Sequence, residues 1–223
     1  MLKKIISKLD IHTFEVLTKS YKTMGVKIIG MIAGLSVSIS LGRVLGTEGL
    51  GIVNFANKFG MILLILTMFG FQNVIIKFVA IAKGKLDDTG IATTLTTSLF
   101  FNVLLSIIIA CLGVIILPFI LDMWPGNQGL YIPIMIVFFM LIPQTISCIY
   151  CAVLNGYGKI WQAQLMDQTL NILFVGVGLI LYWIFNLSFT PVSVLLLYAI
   201  SRIFLALLVW FIWKKNFKKK FVW

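Results

Sequence analysis

Charge is scarce in this sequence, and acid is scarcer than base. Only 11% of the 223 residues are charged, seven of them are acidic, and there is a single histidine, His12. A soluble domain carries about 25% charged residues, so this chain has too little polar surface to be one. The lone histidine lies far from any serine or carboxylate of the apolar stretches, which leaves general-base and nucleophilic catalysis without a partner. No histidine, cysteine and acid set has metal-ligand spacing, and no Gly-rich loop ends in Lys-Ser/Thr to cradle a nucleotide phosphate. Cysteine is limited to Cys111, Cys148 and Cys151, all within apolar stretches, where the C-x-x-C of the last two reads as helix packing rather than redox chemistry. We therefore expect no enzyme, no metal and no cofactor.

What is abundant is apolar. Hydrophobic residues make up 61% of the chain, and the mean hydropathy is +1.08. A helix needs about 20 mostly apolar residues to cross a hydrocarbon core about 30 Å thick, and six segments qualify: residues 24–45, 52–76, 97–121, 130–152, 163–185 and 191–213. The expected fold is thus all-α, a polytopic membrane bundle of six transmembrane helices. It divides into an amphipathic segment, 1–23, a six-span lobe, 24–213, and a basic tail, 214–223. Residues 46–51, 123–129 and 186–191 read as tight turns on one side, and residues 80–90 as the longest loop on the other.

Lysine and arginine sort by side. Lys3, Lys4, Lys8, Lys19, Lys22 and Lys27 precede the first span, Lys77, Lys83 and Lys85 follow the second, Lys159 follows the fourth, and Lys214, Lys215 and Lys218 to Lys220 follow the sixth. Such asymmetry in short loops places both termini in the cytoplasm. The net charge of +11 then faces anionic headgroups, at about 1 kcal/mol per basic residue, so membrane lipids rather than nucleic acid are the expected partners. Residues 1–23 set Leu2, Ile5, Ile6 and Leu9 against Lys3, Lys4 and Lys8, the pattern of a helix in the membrane interface, without the compact apolar core of a signal peptide.

The charges left at depth are the costly ones. Arg202 sits mid-way along the sixth span, where an arginine costs about 2.5–3.5 kcal/mol on insertion scales. Lys58 lies in the second span with Asn54 at i−4 and Asn57 beside it. Asp167, beside Gln164, Gln168 and Asn171, is the acid of the fifth span. One reading is a structural ion pair of Asp167 with Lys58 or Arg202. The other is a cationic cavity, because two bases face one acid. A cationic cavity suits the phosphate-bearing head of a lipid, with Arg43 at its outer mouth. Gly30 and Gly34, and Gly42 and Gly46, make G-x-x-x-G spacings for close helix approach. Pro143, beside Gln144 in the fourth span, removes a backbone hydrogen bond and is a candidate hinge.

The stretch SISLGRVLGTEGLGIVNFANKF, with Leu41, Gly42, Gly46, Gly49 and Gly51, resembles the first outer turn of the polysaccharide-biosynthesis and O-antigen lipid flippases of the multidrug/oligosaccharidyl-lipid/polysaccharide export superfamily. VLNGYGKIWQAQLMDQTLNILFVGVGLIL is similar to their turn into the fifth span at Gly156, Gly158, Lys159 and Asn171. The resemblance implies translocation of lipid-linked oligosaccharide, as undecaprenyl-pyrophosphate-linked repeat units, across the bacterial cytoplasmic membrane by alternating access. It carries Lys58 and Arg202, and more weakly Arg43, to the substrate. It also implies two six-helix lobes, of which this chain supplies the N-terminal one. The expected partner is a second copy in a parallel homodimer or a separate C-terminal lobe. The alternatives are a drug or cation exporter of the same superfamily, disfavoured by the cationic cavity, and a non-transporting membrane assembly protein.

Overall fold

The computed structural model describes residues 11–122, 128–185 and 188–217. Helix α1 spans Ile11–Met68, followed by α2, Phe71–Gly84, and α3, Asp88–Asp122. A 3₁₀ turn, Gln128–Leu130, leads into α4, Tyr131–Gly156. A short helix α5, Ile160–Gln164, passes through a π-helical turn, Leu165–Thr169, into α6, Leu170–Ile184, and α7 closes the chain at Pro191–Phe217.

Five helical stretches among the described residues are long and apolar enough to cross a membrane, and the first, Ser20–Met68, is 49 residues long. At 1.5 Å per residue that is about 74 Å, twice what one crossing needs. Gly46 divides it, with φ 70 and ψ −175, a region open essentially to glycine alone. Each half is long enough to span, so the lobe has six crossings. The expected turn at residues 46–51 shrinks to that one glycine, since its backbone freedom replaces a longer loop.

The second span is not the unbroken segment 52–76. Phe69 at φ 38 and Gly70 at φ 80 interrupt it, and the chain restarts as α2. The expected loop 80–90 also contracts, to residues 85–87. Helices here outrun the apolar stretches, so hydropathy alone misplaces their ends. Asp87 caps α3, its Oδ1 accepting from the Gly90 amide at 2.9 Å and from Thr89 Oγ1 at 2.6 Å. Thr190 and Ser193 cap α7 reciprocally: the Thr190 amide donates to Ser193 Oγ at 3.0 Å and the Ser193 amide to Thr190 Oγ1 at 3.2 Å, with Pro191 at the first helical position. Residues 11–23 continue the first crossing as one helix. Residues 1–10 and 218–223 lie outside the described residues.

Helix α4 is the centre. Of its spanning window 61% is buried, against 11–33% for the other four, and it packs on α1, α2, α3 and α7. The first crossing runs parallel to α6: a methyl group at Gly30 would lie 2.9 Å from Thr169 Oγ1, one at Gly34 3.7 Å from Ile172, and one at Gly176 3.4 Å from Val37. The Gly30/Gly34 pair therefore does what its spacing predicts. The two ends of the lobe are marked by cross-contacts. At one, Gly49 abuts Pro191. At the other, Lys83 Nζ donates to the Tyr157 carbonyl at 2.6 Å and stands 4.7 Å from that ring's centre. These are the Gly46 end and the Tyr157 end below.

A buried polar layer as the candidate functional site

Two apolar clusters fill the lobe, one towards each end. Towards the Gly46 end pack Leu41, Val53, Val137, Leu141, Val175 and Leu195. Towards the Tyr157 end pack Ile75, Ile91, Ile149, Val153, Val209 and Trp213. On every long helix, buried polar residues fall in the interval between them. Thr67 marks it on α1, Ser98, Asn102 and Ser106 on α3, Gln144, Thr145 and Ser147 on α4, Thr169 and Asn171 at the start of α6, and Ser201 on α7. Half-buried Asp167 and Arg202 belong to the same level.

Polar groups in hydrocarbon must find partners within the protein. Several are satisfied by their own helix. Asn102 Nδ2 donates to the Ser98 carbonyl at 2.8 Å, Thr145 Oγ1 to that of Leu141 at 2.8 Å, and Thr67 Oγ1 to that of Leu64 at 2.8 Å. Others tie helices together. Thr169 Oγ1 donates to the Val26 carbonyl at 3.3 Å, and Ser201 Oγ to the Asn171 side-chain oxygen. Arg202 Nη1 donates to the main-chain carbonyl of Asp167 at 3.2 Å.

That carbonyl is presented by the π-helical turn. A π turn breaks the regular i→i−4 ladder and frees main-chain groups, which is why such turns recur at functional positions. Arg202 is thus held between α7 and the π turn. Its Nε is buried without a hydrogen-bond partner, and so is Gln144 Oε1. An unsatisfied buried donor on a cation is expensive, and Arg202 keeps one that no acceptor of the protein meets.

The structure brings Asp167 and Arg202 together and leaves Lys58 elsewhere. Lys58 is exposed on the second crossing, on one face with exposed Asn54, and Asn57 beside them is half-buried. The opposite face of that helix, Val53, Ala56, Gly60 and Leu63, packs into the lobe, with Phe59 edge-on to Phe138 at 5.9 Å. Asp167 forms an ion pair with neither Lys58 nor Arg202, whose bond to it runs to the main-chain carbonyl. Arg43 is exposed near the Gly46 end. Helix α4 stays helical through Pro143.

The sequence reading passed over Ser147, Thr169 and Ser201 and over the three polar residues of α3. The available signal was a polar residue near the middle of every long apolar stretch, a regularity across helices rather than within one.

A family model described as "Polysaccharide biosynthesis protein" matches residues 16–222. Among solved structures, the chain is similar to an outward-facing multidrug resistance MATE family transporter of the MOP superfamily, with a TM-score of 0.78 at 12% identity. The match covers 96% of this chain and 49% of that one, so this chain spans about half the transporter's length. No curated protein sequence matches it.

Proposed function

The chain belongs to the polysaccharide biosynthesis protein family, and from that premise we propose that it is one lobe of a flippase for lipid-linked oligosaccharide. In this reading it moves undecaprenyl-pyrophosphate-linked repeat units across the bacterial cytoplasmic membrane by alternating access, with both termini on the cytoplasmic side.

The observation that carries the reading is Arg202. Its guanidinium stands in the middle of a membrane-spanning lobe, braced by one main-chain carbonyl and keeping a buried N–H without a partner. A pyrophosphate offers the negative charge and acceptor oxygens that this group needs, in the fork geometry arginine favours. Lys58 supports it from another side. A lysine exposed at membrane depth beside Asn54 faces water or protein rather than lipid tails, which makes that face of the second crossing the proposed cavity wall. Two-lobed transporters bind at the midplane between repeats. A second copy of the chain, or a separate six-helix lobe, supplies the opposite wall.

A cation exporter fits the site less well. Arg202 is bonded to the main chain of Asp167, the acid of the layer, and a second cation entering there meets like charge.

The experiment is export of a lipid-linked oligosaccharide in cells relying on Arg202→Ala or Lys58→Ala variants, with membrane insertion measured in parallel. The reading expects loss of export with normal insertion. Full export by an inserted Arg202→Ala variant removes the role assigned to Arg202. The mass of the detergent-corrected particle, with cysteine cross-links between second crossings, tests the partner: an uncross-linked monomer that still exports overturns the two-copy arrangement.

A further inference from the structure

A separate crevice of about 490 Å³ runs between the first crossing and α6 in the Gly46 half of the lobe. Its floor is Val37, Leu41 and Leu179, and its far walls include Trp183 and Phe189. Along the first crossing the lining extends from Ala33 to Val44. From Ala33 to Arg43 the helix rises by ten residue steps, about 15 Å, half of a hydrocarbon core about 30 Å thick. The crevice is therefore as deep as one leaflet.

Its polarity is graded. Ser36 and Ser40 line it, but their hydroxyls already donate to their own helix, to the Ile32 carbonyl at 3.0 Å and the Ser36 carbonyl at 2.9 Å. They offer an occupant little. Arg43 is the one charged residue of the lining. It stands at the end nearest Gly46, exposed, and makes no hydrogen bond or ion pair among the described residues. Exposed Trp183 flanks it, as aromatic rings do at headgroup level. An occupant must thus be apolar over one leaflet's depth and anionic at its outer end.

We infer that this crevice holds one chain of a phosphate-bearing anionic membrane lipid, with the lipid phosphate at Arg43. The site is distinct from the polar layer and does not depend on what the layer transports.

The test uses the fluorescence of Trp183, taken as the difference between the full chain and its Trp183→Phe variant, in phosphatidylcholine vesicles. Brominated phosphatidylglycerol or brominated phosphatidylcholine is added as the quencher. One basic residue near the surface is worth about 1 kcal/mol, or about fivefold, so phosphatidylglycerol should quench at about a fifth of the phosphatidylcholine mole fraction. Arg43→Gln should bring the two lipids level. Ser40→Phe, which fills the crevice from an exposed position, should relieve quenching by both. An unchanged preference in Arg43→Gln overturns the proposal. So does an absence of quenching by either lipid, which would mean that protein, such as a second copy, covers the crevice. The readout is lipid contact and not export, so either failure leaves the flippase reading standing.

Discussion

Arg202 of α7 donates from Nη1 to the main-chain carbonyl of Asp167 at 3.2 Å, a carbonyl that belongs to the π-helical turn Leu165–Thr169. The relationship joins a charge at membrane depth to the one π-helical turn among the described residues. In the proposed flippase, one hydrogen bond from this charged group to the substrate phosphate is worth about 1.5–3 kcal/mol, so Arg202→Ala should lower export by roughly ten- to a hundredfold. Arg202→Lys keeps the charge but loses the fork and should fall between. Export assays at matched insertion check the order, and a lysine variant as inactive as the alanine one would show that geometry outweighs charge.

Gly156 marks where α4 and α2 touch backbone to backbone. A methyl group there would lie 2.8 Å from the Ile76 carbonyl oxygen and 2.8 Å from Val79 Cβ, and main chain cannot swing aside. Gly156→Ala should destabilise by about 1–3 kcal/mol, the usual cost of overpacking. At Gly42 the nearest atom is the end of Leu50, 3.5 Å away, and Gly42→Ala should be near neutral. Denaturation of the two variants in the same detergent gives the comparison.

Gly46 is different in kind. Nothing lies within 4 Å of a methyl group placed there, yet its φ of 70 suits glycine. Gly46→Ala should cost about 1–3 kcal/mol through backbone strain alone. Its signature is a loss that no smaller neighbour restores: truncating Leu45 or Leu50 should leave the defect unchanged in thermal unfolding.

Asp87 supplies the pH dependence. The Thr89 hydroxyl, and after it the Gly90 amide, hold its carboxyl below the ordinary carboxylate range. Because the folded value is depressed, the cap is intact above the unfolded value and is lost as pH falls through the folded one. Hydrogen exchange at the Gly90 amide should therefore show protection at neutral pH that fades in acid. Asp87→Asn caps without titrating and should flatten that profile, whereas Asp87→Ala should lose the protection at every pH.

Much of this was legible in the residues. The apolar stretches gave the crossings, the G-x-x-x-G pair at Gly30 and Gly34 marked a close helix approach, and Arg202 and Asp167 stood out by depth. What misled was the assumption that a helix ends where its apolar run ends. Residues 80–84 and 88–96 are helical beyond the apolar runs, and Asp87 starts the second stretch by capping it through Thr89 and Gly90, a local bond that hydropathy does not record.

Composition and charge placement by themselves determined that this chain crosses a membrane as helices, since backbone in hydrocarbon must satisfy its own hydrogen bonds and basic loops are sorted by side. Tertiary structure decided the rest. Which of the deep cations meets Asp167 depends on helices far apart in sequence: α7 docks Arg202 against the π turn, while the second crossing turns Lys58 outward. That choice follows from packing, because Val53, Ala56, Gly60 and Leu63 claim the inward face and leave Lys58 the other side.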